Sequence, residues 1–130
     1  MTILETQGLA AKHAERVLAV AGTAKKNAAL EAIAEALHQN QGYILAENEK
    51  DLAAAMAQGM KQSLLDRLAL SSDRMAGIVE GVRQVAALPD PIGQVTEMST
   101  RPNGLIIGKR RVPLGVIGII YEARPNVTVD

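Results

Sequence analysis

The stretch Tyr121-Glu122-Ala123-Arg124-Pro125-Asn126 collects the residue types of a small polar site. An asparagine amide can donate an N–H to an oxygen that gains negative charge, and an arginine can hold a carboxylate or phosphate by two parallel hydrogen bonds. Asn126 is equally the residue type that caps a helix beginning at this point, and the chemistry of the side chain leaves both roles open. A second Arg-Pro-Asn, at Arg101-Pro102-Asn103, precedes Gly104 and reads as a plain turn, because proline presets φ while Asn and Gly accept the positive φ of a reversal. Gly115-x-x-Gly118 lacks the G-x-G-x-x-G pattern of a dinucleotide fingerprint, and close packing in a strand accounts for it. Lys109-Arg110-Arg111 alternates its charges between the two faces of a strand, which suits a solvated hairpin or a subunit contact better than a phosphate patch. His13 and His38 are 25 residues apart with no further ligand at metal-type spacing, so no metal site is expected. Asp66-Arg67 reads as a local charge pair or cap beside Leu65 and Leu68.

Composition removes whole classes of function. The chain of 130 residues contains no cysteine, which excludes disulfides, cysteine zinc sites and a thiol nucleophile within it. Neither Ser nor Thr stands in a pattern that could replace that nucleophile. Tyr43 and Tyr121 are the only aromatic residues, so stacking platforms for single-stranded nucleic acid are excluded. The formal net charge is zero, which argues against nonspecific binding to nucleic acid or anionic lipid. Its distribution is uneven: residues 1–100 carry 9 basic and 12 acidic side chains, residues 101–130 carry 5 and 2. No apolar run approaches the ~20 residues of a membrane span. Met1 to Glu5 lacks the basic flank and long apolar run of a signal peptide, so a cytoplasmic protein without membrane partners is expected.

The elements that must position the polar stretch change character near residue 89. Up to about residue 88 the pattern is helix after helix, with 20 of the 21 alanines in this part. Ala10, Ala11, Ala14, Val17, Leu18 and Ala21 form an amphipathic stripe that ends at Gly22-Thr23. The next helix presents Leu30, Ile33, Ala34 and Leu37 on one face. A third is predicted from about Tyr43 to Gln58, ending at Gly59, and a short segment follows from Leu64 to Leu68. Ser71-Ser72-Asp73 caps a last helix with Met75, Ile78, Val79, Val82 and Val85 facing inward. Pro89-Asp90-Pro91-Ile92-Gly93 stops helix formation. Gln94–Ser99 and Leu105–Val112 then predict an antiparallel hairpin. Val116-Ile117-Gly118-Ile119-Ile120 is a nearly continuous apolar run, as in a parallel strand covered on both faces, and the polar stretch lies at its C-terminal end, where open α/β sheets bind ligands. Such a strand requires a crossover helix and a partner strand beyond it, so the pattern reads as the front of a larger protein.

The residues Arg111 to Asp130, with Tyr-Glu-Ala-Arg-Pro-Asn at their centre, closely resemble the gamma-glutamyl phosphate reductase family, the proline-biosynthesis branch of the aldehyde dehydrogenase superfamily. Leu64-Leu65-Asp66-Arg67-Leu68-Ala69-Leu70, Asn48-Glu49-Lys50-Asp51-Leu52 and Pro91-Ile92-Gly93-Gln94-Val95 are similar to segments of the same family, so the resemblance covers the whole chain. It implies an α/β, aldehyde-dehydrogenase-like fold. Residues 1–88 would be the N-terminal helical part of the cofactor-binding domain and 89–113 a β-hairpin oligomerisation arm. Residues 114–130 would begin the NADP-binding domain, with the first strand of its parallel sheet. A homo-oligomer through the 94–112 hairpin is implied as well.

The implied reaction is reduction of L-glutamyl 5-phosphate by NADPH to L-glutamate 5-semialdehyde and phosphate. A cysteine thiolate expels phosphate to leave a thioester, and hydride transfer then leads to the aldehyde. By the resemblance Asn126 is the catalytic oxyanion residue, and Ile120, Tyr121, Glu122 and Pro125 lie against NADP(H). Arg124 is assigned, on its own chemistry, to a carboxylate or phosphate of the substrate. Glu122-Ala123-Arg124-Pro125 is longer than the Pro-Trp that precedes this asparagine in other superfamily members. The required cysteine lies downstream in the family and is absent from these 130 residues, so the chain alone is expected to be inactive. The competing expectation is a noncatalytic helical interaction module with a β-arm, whose exposed strand edges need a partner chain.

Overall fold

The computed structural model describes residues 2–130, which form five α-helices, one two-stranded sheet and a terminal 3-10 turn. They pack as two units, residues 2–23 with 89–118 and residues 24–88 with 119–130.

In the first unit, α1 (Ile3–Leu18) starts on a capping box: the Thr2 hydroxyl accepts from the Glu5 N–H and the Glu5 carboxylate accepts from the Thr2 N–H. A Lys12–Glu15 pair at 2.9 Å adds local support. None of its residues is buried, so the expected stripe forms but stays uncovered, with Val17 and Leu18 exposed. The helix ends ahead of Gly22-Thr23, and the Thr23 hydroxyl donates to the Asp90 carboxylate at 2.9 Å.

The hairpin expected after the prolines is present. β1 (Val95–Thr100) pairs antiparallel with β2 (Ile106–Arg110), with an irregularity between Val95 and Glu97. The turn closes where Arg-Pro-Asn-Gly predicts. The Gly104 N–H donates to Arg101 O at 2.8 Å, and Gly104 takes a φ of 86° that its lack of a side chain permits. Every residue of both strands is exposed. The run Val116–Ile120 departs from expectation. It belongs to no sheet among the described residues, where the only pairing is β1 with β2. A strand exists through a hydrogen-bonded neighbour, and this run has the composition of one without the neighbour. Nor does close packing explain its glycines. A Cβ at Gly115 or Gly118 would meet nothing within 4 Å, and Gly115 is instead required by a φ of 94°.

The second unit holds the core. α2 (Thr23–Gln39), α3 (Gln41–Ala57), α4 (Gln62–Leu68) and α5 (Ser72–Ala87) follow the predicted order. α3 ends in a Schellman motif. The Gly59 N–H donates to Met56 O and the Met60 N–H to Ala55 O, both at 3.0 Å, with Gly59 at φ 74°. α5 starts on Ser71, whose hydroxyl accepts from the Arg74 N–H. Ala34, Val79 and Val82 form the buried cluster, with Leu30, Leu37 and Val129 packed on it. Two expected core residues are outside: Ile33 and Val85 are exposed, and Ala86 is buried in the place expected for Val85. The buried stripe of α5 is Met75, Val79, Val82 and Ala86, and its periodicity leaves position 85 at the margin.

One polar residue belongs to this interior. Asn48 is 5% exposed; its Nδ2 donates to Leu68 O at 2.9 Å, and its Oδ1 accepts from the Leu70 N–H at 2.8 Å. It satisfies a donor and an acceptor in the link between α4 and α5. An Asn48→Ala chain is expected to lose about 2–3 kcal/mol of stability, because both backbone groups are left without a partner. Urea unfolding followed by circular dichroism measures this, and an unchanged midpoint would contradict it.

Candidate functional site

The second unit carries a cleft of about 1100 Å³. One wall is α4 with α5; the other is the terminal segment, and Leu30 of α2 also contributes. The terminal segment turns sharply. Ala123 has φ 49°, and among the described residues it is the only non-glycine at positive φ. Strain of this kind persists only where surrounding contacts enforce it, and such sites are often functional. Pro125 then opens a 3-10 turn, Pro125–Thr128, that brings the chain back. A 2.6 Å hydrogen bond between the Tyr121 and Thr128 hydroxyls closes the loop across its base.

Geometry decides one question that residue type leaves open. The residue capping the 3-10 turn is Arg124, and Asn126 lies inside it, so Asn126 is no helix cap. Its carbonyl accepts from the Val129 and Asp130 N–H groups, and its Nδ2 donates to Asp130 Oδ2 at 3.0 Å. The Asn126 amide carries two N–H bonds, of which this contact engages one.

Of the residues singled out from the sequence, Arg124, Pro125 and Asn126 line the cleft, whereas Ile120, Tyr121 and Glu122 are not among its lining residues. Ile120 is fully exposed, at 103%. The cleft also contains residues to which the sequence reading gave only a local structural role. Asp66 and Arg67 both line it, but they form no ion pair with each other. The Asp66 carboxylate instead accepts from the Gln62 amide at 2.9 Å. Arg74 donates from Nη1 to Asp66 O at 2.6 Å and Ala69 O at 2.5 Å, which satisfies carbonyls at the end of α4. Among the described residues no cluster of three His, Asp or Glu side chains could hold a metal ion. None of the helices is long and apolar enough to cross a membrane.

Similarity to known proteins points one way. Over 127 residues the chain is 58% identical to gamma-glutamyl phosphate reductase of Moorella thermoacetica, an alignment that covers 98% of this chain and 30% of the relative. It is 60% identical to the Geobacillus thermodenitrificans protein of the same name, over 92% of this chain and 29% of that one. Over nearly its whole length the chain is similar to proteins named gamma-glutamyl phosphate reductase. The crystal structure of gamma-glutamyl phosphate reductase from Thermotoga maritima superposes with a TM-score of 0.85 at 44% identity, covering 92% of this chain and 29% of that one. The likeness bears out the α/β, aldehyde-dehydrogenase-like fold class expected from the sequence. No family model matches the chain. The chain thus spans under a third of the length of these relatives.

Two glycines of α5, Gly77 and Gly81, face the cleft one turn apart. A Cβ at either would meet nothing within 4 Å, so packing does not require them, although glycine inside a helix is unfavourable. Gly77→Ala and Gly81→Ala are each expected to raise stability by about 0.5–1 kcal/mol. Thermal unfolding of the two variants tests whether α5 is as unobstructed here as the structure shows.

Proposed function

We propose that this chain forms part of an NADPH-dependent reductase that converts L-glutamyl 5-phosphate to L-glutamate 5-semialdehyde and phosphate, a step of proline biosynthesis in the cytoplasm. The observation that carries the reading is the strained loop 121–128, which brings Arg124 and Asn126 of the family's Tyr-Glu-Ala-Arg-Pro-Asn stretch into one cleft. The identity to curated reductases over nearly the whole chain supports the same conclusion.

In this reading Asn126 supplies the oxyanion donor. Negative charge develops on the acyl oxygen when a nucleophile attacks the acyl phosphate and again when the acyl group is reduced, and an amide N–H held in place stabilises both states without reorganising. The hydrogen bond to Asp130 holds the Asn126 amide by one N–H and leaves the other for the substrate oxygen. Arg124, with no ion pair among the described residues, suits the phosphate leaving group, whose charge it can take in a bidentate contact. The thiol nucleophile comes from outside these 130 residues, which have no cysteine. These residues alone are therefore expected to turn over no substrate.

The chain's own residues fit the nicotinamide end of NADP(H). Ile120 offers an uncovered apolar side chain beside Tyr121, and Pro125 adds a half-buried ring, a combination suited to a flat heterocycle. When bound, the cofactor supplies the hydride. Ile120, Tyr121, Glu122 and Pro125 would hold its ring, Pro125 from the cleft lining and the other three from the segment just ahead of it.

The hairpin is proposed to join copies of the protein. A two-stranded ribbon with both faces in solvent is marginal by itself, and Met98, Leu105, Ile106 and Ile107 are all exposed on it. The same uncovered apolar surface is what favours the second reading, a noncatalytic interaction module. Catalysis distinguishes the two.

Asn126→Ala in the complete protein is expected to lower kcat about 10²–10³-fold with little change in KM, followed through NADPH formation from the semialdehyde, phosphate and NADP+. Activity equal to that of the unaltered protein would remove Asn126 from the reaction. Placing a charge in the ribbon by Ile107→Lys is expected to lower the oligomeric mass measured by light scattering. An unchanged mass would exclude the hairpin as the contact.

A further inference from the structure

The charged side chains of the cleft differ in what they already touch. Arg74 is committed to the carbonyls of Asp66 and Ala69, Asp66 to the Gln62 amide, and Asp130 to the Asn126 amide. The Arg67 and Arg124 side chains line the same cleft, and neither guanidinium makes an ion pair or hydrogen bond with another described residue. They reach it from different elements, Arg67 from the last turn of α4 and Arg124 from the terminal segment. Because Arg74 ties down the end of α4 and Asn48 the residues just after it, the backbone that carries Arg67 is fixed on both sides. A guanidinium on fixed backbone, without a carboxylate partner and lining a cavity, is suited to a carboxylate supplied from outside.

We propose that Arg67 is a specificity-determining residue of this cleft, binding the carboxylate at the far end of a ligand whose reacting acyl group lies at Arg124 and Asn126. The ligand class is an acyl phosphate, or the matching aldehyde, that bears a second anionic group. The choice of L-glutamyl 5-phosphate within that class rests on the reductase reading above. Arg124 and Asn126 are two residues apart in one loop, so the phosphate and the acyl oxygen, which share a carbon, go to that wall. The α-carboxylate, at the other end of the molecule, goes to α4. The Asp66 and Asp130 carboxylates line the same cleft and repel an anion, which increases the dependence of binding on Arg67.

The test compares two aldehydes in the complete protein: glutamate 5-semialdehyde and 4-aminobutanal, which lacks the α-carboxylate. Arg67→Ala is expected to lower kcat/KM for the first about 10–100-fold, mainly through KM, and to leave the second unchanged. Arg67→Lys, which keeps the charge without the fork, recovers part of the loss. An equal loss on both aldehydes, or no loss on either, overturns the assignment. Calorimetric titration with glutarate separates this proposal from the reductase reading. Glutarate binding weakened at least tenfold by Arg67→Ala, without turnover of either aldehyde by the unaltered protein, upholds Arg67 and overturns the reductase reading. Glutarate binding that is absent, or insensitive to Arg67→Ala, overturns Arg67.

Discussion

The geometry of the cleft depends on a neutral amide. Asn48 lies in α3, yet it hydrogen-bonds the backbone on both sides of Ala69, where α4 has ended and α5 has not begun. A peptide link leaving a helix exposes an N–H and a C=O that both need partners once water is excluded. Asparagine meets both needs without the desolvation cost of a charge. Aspartate could not donate to Leu68 O, and leucine could satisfy neither group. Arg74 reinforces the same link from α5 by donating to two carbonyls of α4. The cleft wall is therefore set by directional polar contacts as well as by the burial of Leu65 and Met75 in α4 and α5. Hydrogen bonds specify position more narrowly than apolar contact does, so the backbone that carries Arg67 is held in place.

The wall formed by the terminal segment is held by other means. Ala123 is kept at positive φ, Pro125 fixes the entry to the 3-10 turn, and the Tyr121–Thr128 hydrogen bond fastens the loop ends. Val129 packs on the buried cluster of Ala34, Val79 and Val82, so the far end of the loop is anchored in the core. Asn126 thus stands on backbone that is constrained before any ligand arrives. Preorganisation of this kind gives an oxyanion donor its value, since a donor that must be ordered during the reaction loses much of its effect.

Features coded within a few residues were legible in the sequence. The Ser71 cap, the Gly59 stop and the turn at Arg101–Gly104 each follow from a local conformational preference and appear where that preference puts them. Features that depend on a distant neighbour were not. Periodicity identified the apolar stripe of α1 but could not say that nothing among the described residues covers it. It placed Val85 inside when the contact face of α5 runs through Ala86. A run of Val and Ile identified strand-forming composition at 116–120, whereas pairing depends on chain elsewhere. Asp66 and Arg67 read as a local pair because they are adjacent. In the folded chain each answers to different groups, and only the cleft unites Arg67 with Arg124. Asn48 was noticed only as part of a family segment. A polar residue on the helix face of Ile44, Leu45, Leu52 and Ala55 was the available signal, and it does not name a partner twenty residues away.

The distribution of chemical roles along the chain follows from what each role demands. Reduction of an acyl phosphate needs a nucleophile, a hydride donor and a site that stabilises charge on the acyl oxygen while holding the rest of the substrate. The first needs a reactive atom, and these residues have no thiol. The last needs only rigid backbone, amide donors and guanidinium groups, all of which α4, α5 and the terminal loop provide. Under the proposed function this chain therefore contributes binding and electrostatics to a reaction whose bond-making atom lies elsewhere. On that reading a chain spanning under a third of its relatives' length contains the polar cleft and draws its nucleophile from outside these residues. The uncovered hairpin fits the same account. A segment whose strands and α1 stripe are all in solvent has apolar surface to bury, and burial against further protein is how such surface contributes to stability.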